Sequence, residues 1–359
     1  MNNTKNVLNY FIGKGSISKL QSLINEKRVN TSDYAVIFVD HFFRNQGDLN
    51  LKIDRQDMIF YYNSQKEPTT DIINHYKSEI LSSKQDNKPV AVIAIGGGST
   101  LDTVKAVSNL LNNPGVAEDY QGWDLVKNPG IYKIGVPTIS GTGAEASRTC
   151  VMTNYKKNLK LGMNSEFTIY DQLILDSDLS KTVPRDQYFY TAMDTYIHCI
   201  ESLNGSHRHA MADSYSYEAL RLCHEIFSSK DMMSDENREK LMVASYHGGA
   251  SLANSFVGVV HPFSAGLSIV FGTPHCLANC IIMSAMEEFY PVETEQFKFY
   301  VEKQGISIPS GLTQKLDDAG FQKLYESTII HEKPLTNALG ENFKTILSPE
   351  KVRSIFERL

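Results

Sequence analysis

The run Pro89-Val-Ala-Val-Ile-Ala-Ile95 is continuously apolar, and Gly96-Gly-Gly-Ser99 follows it at once. A strand with one wet face would alternate, so an unbroken run of this length reads as a parallel strand buried on both faces. Val104, Val107 and Leu111 then recur at helical spacing. Strand, glycine turn and helix in that order commit this half of the chain to an α/β, Rossmann-like architecture. The turn exposes backbone amides backed by a helix N-terminus, an anion site suited to a pyrophosphate, and glycine alone lets phosphates come that close. The triplet lacks the Gly-x-Gly-x-x-Gly spacing, however, and by itself a tight turn would use it equally well.

Two other strand ends add to this reading. Ile134-Gly-Val-Pro-Thr138 is a second short strand, and it leads into Ile139-Ser-Gly-Thr-Gly-Ala-Glu145, whose hydroxyls and flexible backbone suit phosphate and ribose oxygens. Tyr34-Ala-Val-Ile-Phe-Val-Asp40 is a third, ending in an acid. An acid in that place accepts the adenosine ribose hydroxyls and repels a 2′-phosphate, which favours NAD over NADP. The other reading of Asp40 is a loop acid or a helix cap.

The second half carries different chemistry. Asp194 and His198 stand four apart in the helix-like run 188–201, so their side chains share a helix face. His261 and His275 follow, fourteen positions apart. These four donors can close around one divalent cation only if the chain reverses between the last two. A straight helix would hold them about 21 Å apart, and metal-ligand bonds are about 2 Å long. Gly272-Thr-Pro274 supplies the reversal: a helix stop, then Thr273 as a cap and Pro274 at the first helical position, with His275 near the start of the next helix. One carboxylate and three imidazoles leave such a cation with net positive charge and an open position, as in a catalytic rather than a structural site. Oxygen and nitrogen donors suit Fe2+, Zn2+, Mn2+ or Co2+. The alternative is a surface Asp-His hydrogen bond and two unrelated histidines.

With 359 residues, 42% of them hydrophobic, the chain can bury two cores. Strand and helix signals alternate to about residue 180, with Gln172-Leu-Ile-Leu-Asp176 the last clear strand; beyond Val183-Pro184 the pattern is helical, as at 213–227 and 235–245. The expected domains are therefore residues 1–180, NAD-binding, and 181–359, helical and metal-binding. A net charge of −6 with scattered basic residues leaves no footprint for nucleic acid. No apolar run is long enough to span a membrane, and Met1-Asn-Asn-Thr-Lys-Asn lacks the apolar core of a signal peptide. Five cysteines without framework spacing suit a reducing cytoplasm. Cys276 and Cys280 lack the second pair that a structural zinc site needs.

In these motifs and their order the sequence resembles the iron-containing (group III) alcohol dehydrogenases over nearly its whole length. The residues that carry the resemblance are Gly96-Gly-Gly-Ser-x-x-Asp102-x-x-Lys105, Pro137-Thr-x-x-Gly-Thr-Gly-Ala-Glu145, Met193-Asp-x-x-x-His198, and His261 with Pro274-His275. The resemblance implies a Rossmann-like domain followed by an all-α metal-binding domain, the architecture shared with dehydroquinate synthase, and a homodimer. It implies that Gly97, Gly98, Ser99, Thr138, Thr142, Ser147 and Lys160 contact the cofactor, and that Asp194, His198, His261 and His275 hold Fe2+ or Zn2+. Glu67-Pro-Thr69 matches the family's adenine-side loop loosely. Ala265 departs from the family, which usually has a histidine there near the nicotinamide, so the usual proton path does not carry over.

Within the family, Gln121-Gly-Trp-Asp124, Ile139-Ser-Gly-Thr-Gly-Ala-Glu145, His261-Pro-Phe-Ser-Ala-Gly-Leu-Ser268 and Met286-Glu-Glu-Phe-Tyr-Pro291 resemble the branch that includes 3-deoxy-D-manno-octulosonate (Kdo) 8-oxidase. That branch acts on the terminal alcohol of an eight-carbon sugar acid before an amino group is installed. The implied activity is metal-assisted oxidation of the C8 hydroxyl of Kdo to an aldehyde, with NAD taking the hydride, in lipopolysaccharide biosynthesis upstream of a pyridoxal-dependent aminotransferase. The competing readings are oxidation of another small alcohol, a dehydroquinate-synthase-like lyase, a non-catalytic NAD-binding regulator, and transfer of the electrons to O2.

Overall fold

The structure is a computed structural model that describes residues 5–45, 49, 51, 53–64, 67–157 and 159–359. The chain divides into two compact units, Met1–Thr182 and Val183–Leu359.

The strands of the first unit are β1 (Asn9–Ile12), β2 (Ala35–Asp40), β3 (Met58–Tyr62), β4 (Ala91–Gly96), β5 (Gly122–Trp123), β6 (Lys133–Pro137), β7 (Thr149–Asn154), β8 (Leu159–Asn164) and β9 (Gln172–Leu175). Its α-helices are α1 (Leu20–Lys27), α2 (Thr70–Ser83) and α3 (Gly98–Asn112). Six strands form one parallel sheet in the order β1-β9-β6-β4-β2-β3. The continuous apolar runs are its middle strands: every residue of β4 and the first five of β2 are buried. Ile37, Ile93 and Ile134 pair across β2, β4 and β6 and share a core with Leu20, Leu23 and Ile24 of α1. Each such side chain contributes roughly 1.5–3 kcal/mol on burial, which is what holds the helix against the sheet.

From β2 the chain moves outward to β3, whereas from β4 it moves the other way to β6. The strand order therefore reverses between β2 and β4, and the crevice at the carboxyl ends of these neighbours is the topological switch point where such sheets bind ligands. Asp40 ends one of the two strands and Gly96 the other.

Several strands carry no clear signal in the sequence. All four residues of the edge strand β1 are exposed, so it has no buried face to impose a pattern. The small sheet β5-β8-β7 contains the antiparallel hairpin β7-β8, which is rich in polar residues.

The second unit is helical: α4 (Arg185–Asn204), α5 (Ala210–Ser228), α6 (Asp235–Asn254), α7 (Val260–Phe271), α8 (His275–Met283), α9 (Pro291–Gln304), α10 (Asp318–Ile329), α11 (Glu332–Leu339), α12 (Phe343–Ile346) and α13 (Pro349–Phe356). α4 packs against α5, α6 and α8 and is buried on nearly every turn, so its polar residues Asp194, His198 and Glu201 lie inside the bundle. The expected reversal is present, with one correction. Gly272 ends α7 in the left-handed region at φ 69° and ψ 19°, its amide donating to the Ser268 carbonyl. Pro274, however, stands in the cap position rather than the first helical one, because its ψ of 141° is extended, and His275 is the first residue of α8. Thr273 therefore precedes the cap position, and its carbonyl accepts a hydrogen bond from the Ser268 hydroxyl at 2.9 Å. No helix among the described residues is long and apolar enough to cross a membrane.

Candidate metal centre and nucleotide cradle

β4 ends at Gly96 and α3 opens at Gly98, with no side chain capping the first turn. The first amides of α3 have no partner within the helix, and the helix dipole favours negative charge there. Residues 138–143 close over this turn. The Thr138 amide donates to the Gly96 carbonyl at 3.0 Å. A Cβ on Gly97 would lie 2.8 Å from the Ile139 Cγ2. Gly97, Gly98, Ser99, Thr138 and Thr142 are thus gathered at one strand end. Asp40 accepts a hydrogen bond from the Phe42 amide at 3.0 Å and so also acts as the cap foreseen as its other reading.

Ser147 and Lys160 arrive already engaged. The Ser147 carbonyl and hydroxyl accept hydrogen bonds from Lys105 Nζ at 2.9 and 3.1 Å. Lys160, buried on β8, pairs with Glu67 Oε2 at 2.6 Å, a partner that sequence spacing gave no means of finding. Asp102 accepts from the Val151 amide at 2.9 Å and lies 3.8 Å from Lys105. Burial pushes the Asp102 carboxyl up to about 6, against the pull of Lys105. Gln121, part of the branch-like wording, donates to the Met152 and Leu161 carbonyls at 2.9 and 3.3 Å and ties the β7-β8 hairpin together.

In the second unit Asp194, His261 and His275 offer ligand atoms that all lie within 4.8 Å of one another. His198 joins them through Asp194, its Nε2 standing 3.5 Å from the same Oδ1 that His261 Nε2 approaches at 3.3 Å. The His198 and His261 rings stack at 4.6 Å. Helix α4 supplies Asp194 and His198 one turn apart, α7 supplies His261 in its first turn, and the Gly272 reversal brings His275 back at the head of α8. Ala265 is one turn beyond His261 on α7 and is buried.

Two further residues complete the cluster. Glu201 is buried, lies in the same stripe of α4 as Asp194 and His198, accepts the Val260 amide at 2.5 Å, and hydrogen-bonds His261 Nδ1. Asn279, one turn after His275, donates from Nδ2 to Asp194 Oδ1 at 2.6 Å and lies 3.3 Å from Nε2 of both His261 and His275. Helical spacing from a ligand, i+3 for Glu201 and i+4 for Asn279, is the signal that could have found them.

The electrostatics match the geometry. Burial pushes His198 down to about 4. Burial also opposes charge on His261, but Glu201 and Asp194 outweigh it and hold that imidazole up at about 9. Asp194 is buried, yet His198, His275 and His261 hold its carboxyl well below the usual carboxylate range. A buried carboxylate with imidazoles converging on it is a donor set that fits a divalent cation, because the cation would offset the carboxylate charge and use the imidazole lone pairs.

The iron-containing alcohol dehydrogenase profile matches residues 8–177, and that of the C-terminal part of the Fe-containing alcohol dehydrogenase family matches residues 188–318. The chain belongs to the iron-containing alcohol dehydrogenase family. Members are oxidoreductases acting on alcohols, and the chain shares their parallel α/β N-terminal sheet and all-helical C-terminal domain. A sulfoacetaldehyde reductase of Bilophila wadsworthia is 33% identical over 223 residues, 61% of this chain and 56% of that protein, so the match spans little more than half of that relative's length. An NAD-dependent methanol dehydrogenase of Bacillus methanolicus is 27% identical over 311 residues, 84% of this chain and 79% of that protein. A solved 1,3-propanediol oxidoreductase superposes with a TM-score of 0.85 over 99% of both chains at 19% identity, a likeness of fold.

Proposed function

We propose that this iron-containing alcohol dehydrogenase interconverts a primary alcohol and its aldehyde, using a divalent metal ion and NAD. The observation that carries the reading is the convergence of Asp194, His261 and His275, with His198 beside them, on one point of the helical unit. An ion held by these four would supply Lewis acidity toward an alcohol or carbonyl oxygen. The chain's own residues do the rest. The first amides of α3 and the bare backbone of Gly97 and Gly98 receive a pyrophosphate, with Ser99, Thr138 and Thr142 around it. Asp40 at the end of β2 receives the ribose hydroxyls and disfavours a 2′-phosphate, and Ser147 and Lys160 complete the cofactor contacts. The methanol dehydrogenase relative, named as NAD-dependent, supports the choice of cofactor.

For the substrate, we propose the terminal alcohol of a sugar acid, Kdo, whose aldehyde would pass to a pyridoxal-dependent aminotransferase. The support is the branch-like wording of four segments and Ala265, whose small side chain one turn from His261 leaves room for a large polar substrate. A second reading, reduction of a small anionic aldehyde, is favoured by the sulfoacetaldehyde reductase relative. Five free, buried cysteines suit a cytoplasmic location. A homodimer is the proposed assembly, because β1, at the rim of the sheet, leaves the apolar side chains of Tyr10, Phe11 and Ile12 exposed.

The test is metal analysis of the purified protein together with a side-by-side assay of Kdo, sulfoacetaldehyde and short alcohols, following reduced nicotinamide and peroxide. Bound divalent metal and nicotinamide-linked turnover are expected, with Kdo the fastest substrate. Absence of metal, or peroxide release without nicotinamide reduction, overturns the mechanism; faster turnover of short alcohols overturns the Kdo assignment alone.

A further inference from the structure

Glu201 is an ionisable residue with no exposed surface in the middle of an apolar bundle, a costly placement unless both carboxylate oxygens are used. Both are. Oε1 accepts the amide of Val260, the first residue of α7, and Oε2 bonds Nδ1 of His261. The loop entering α7 closes on Glu201 because residue 258 is glycine: a Cβ there would lie 3.3 Å from Glu201 Cβ and Cγ and 2.5 Å from the Tyr290 hydroxyl. That hydroxyl accepts the Val259 amide at 3.2 Å, so the approach is held from a second side.

We propose that Glu201 is a positioning residue: by accepting Nδ1–H of His261 it fixes the tautomer whose Nε2 lone pair faces the metal position beside Asp194. This rests on the four-ligand reading given above. On the other side of the ring Nε2 stands 3.3 Å from both Asp194 Oδ1, which can only accept, and Asn279 Nδ2, which can only donate, so these neighbours do not choose the tautomer and the choice falls to Glu201. Capping of α7 alone would need one oxygen of Glu201 and would not engage the imidazole. Partners of this kind behind metal-bound histidines orient the ring and raise its basicity.

Glu201→Gln keeps the shape but replaces one acceptor by a donor. With its oxygen on the Val260 amide, its NH2 faces His261 Nδ1 and drives the proton to Nε2, the ligating atom. Zn2+ is titrated into metal-free wild type, Glu201→Gln, His261→Ala and the double variant against a competing chelator, with circular dichroism as a check on folding. Glu201→Gln is expected to bind Zn2+ about 10–100-fold more weakly, and the double variant no more weakly than His261→Ala alone, because the effect passes through that ring. Unchanged affinity in Glu201→Gln, or full additivity in the double variant, overturns the role. A readout on the wild type stands even if the variants fail to fold. Nitrogen-15 shifts of His261 in the Zn2+-bound protein should show a protonated Nδ1, and a protonated Nε2 overturns the proposal. Failure of the wild type to bind Zn2+ at all would instead bring down the four-ligand reading.

Discussion

Thr142 stands over Gly98, its hydroxyl and its methyl each 3.1 Å from where a Cβ at position 98 would lie. The space above the start of α3 is thus narrow before any ligand enters. A branched side chain at 98 would push Thr142 away and fill the approach to the first amides of the helix. Gly98→Val is expected to raise the dissociation constant for NAD by at least about tenfold, the equivalent of about 1.4 kcal/mol, with helical content unchanged. Nucleotide affinity equal to wild type, measured by fluorescence titration, would count against the cradle.

Asp40→Ala removes the acid at the carboxyl end of β2. Its bond to the Phe42 amide is local and spans two residues, so the fold should survive. The kcat/KM ratio of NADP to NAD is expected to rise about tenfold, since repulsion of a 2′-phosphate is removed while ribose contacts to NAD are lost. A wild type that already uses both cofactors equally would remove the role assigned to Asp40.

The legible parts of this chain are those whose burial is symmetrical. β2 and β4 read clearly because both faces are covered, leaving an unbroken apolar run. β1 could not be read, because its four residues are exposed and it is a strand only through its backbone bonds to β9. In the site, Asp194 and His198 were visible as a helical pair, and Gly272 marked the reversal that brings in His275. Glu201 lies on the same stripe at helical spacing from His198, but its partners on α7, the Val260 amide and His261 Nδ1, are set by packing and could not be read from that spacing. The pairing of Lys160 with Glu67 is likewise a product of tertiary structure, joining β8 to a segment far away in the chain.

The buried Asp102 predicts a pH dependence. Its carboxyl is pushed from the usual 3.8 up to about 6, chiefly by burial. Between those values the folded chain keeps a proton that the unfolded chain has lost. The stability this contributes is fully present below the unfolded value and is lost as pH rises through about 6. Asp102→Asn keeps an acceptor for the Val151 amide and does not titrate. In urea denaturation at a series of pH values, wild type measured against Asp102→Asn should lose roughly 1–3 kcal/mol between about pH 4 and pH 6.5, with no further change above. Identical pH profiles for the two proteins would show that Asp102 titrates normally.

The four proposed ligands should not be equivalent. Asp194 is the hub: its Oδ1 lies 3.3 Å from His261 Nε2 and 3.5 Å from His198 Nε2, and its Oδ2 lies 3.6 Å from His275 Nε2. Asp194→Asn keeps an oxygen donor in place and removes the charge, whereas His198→Ala or His275→Ala deletes a donor outright and leaves a gap. The histidine variants are expected to lose more than about 100-fold in Zn2+ affinity, beyond the 10–100-fold typical of an outer partner, and to lose activity while remaining folded. Asp194→Asn should fall between them and wild type. Metal content per chain after dialysis, with circular dichroism as the folding control, decides the order. Full occupancy in both histidine variants would mean that the cluster is a buried hydrogen-bond network rather than a metal centre. A larger loss in Asp194→Asn than in either histidine variant would mean that the carboxylate charge, rather than the number of donors, dominates the affinity.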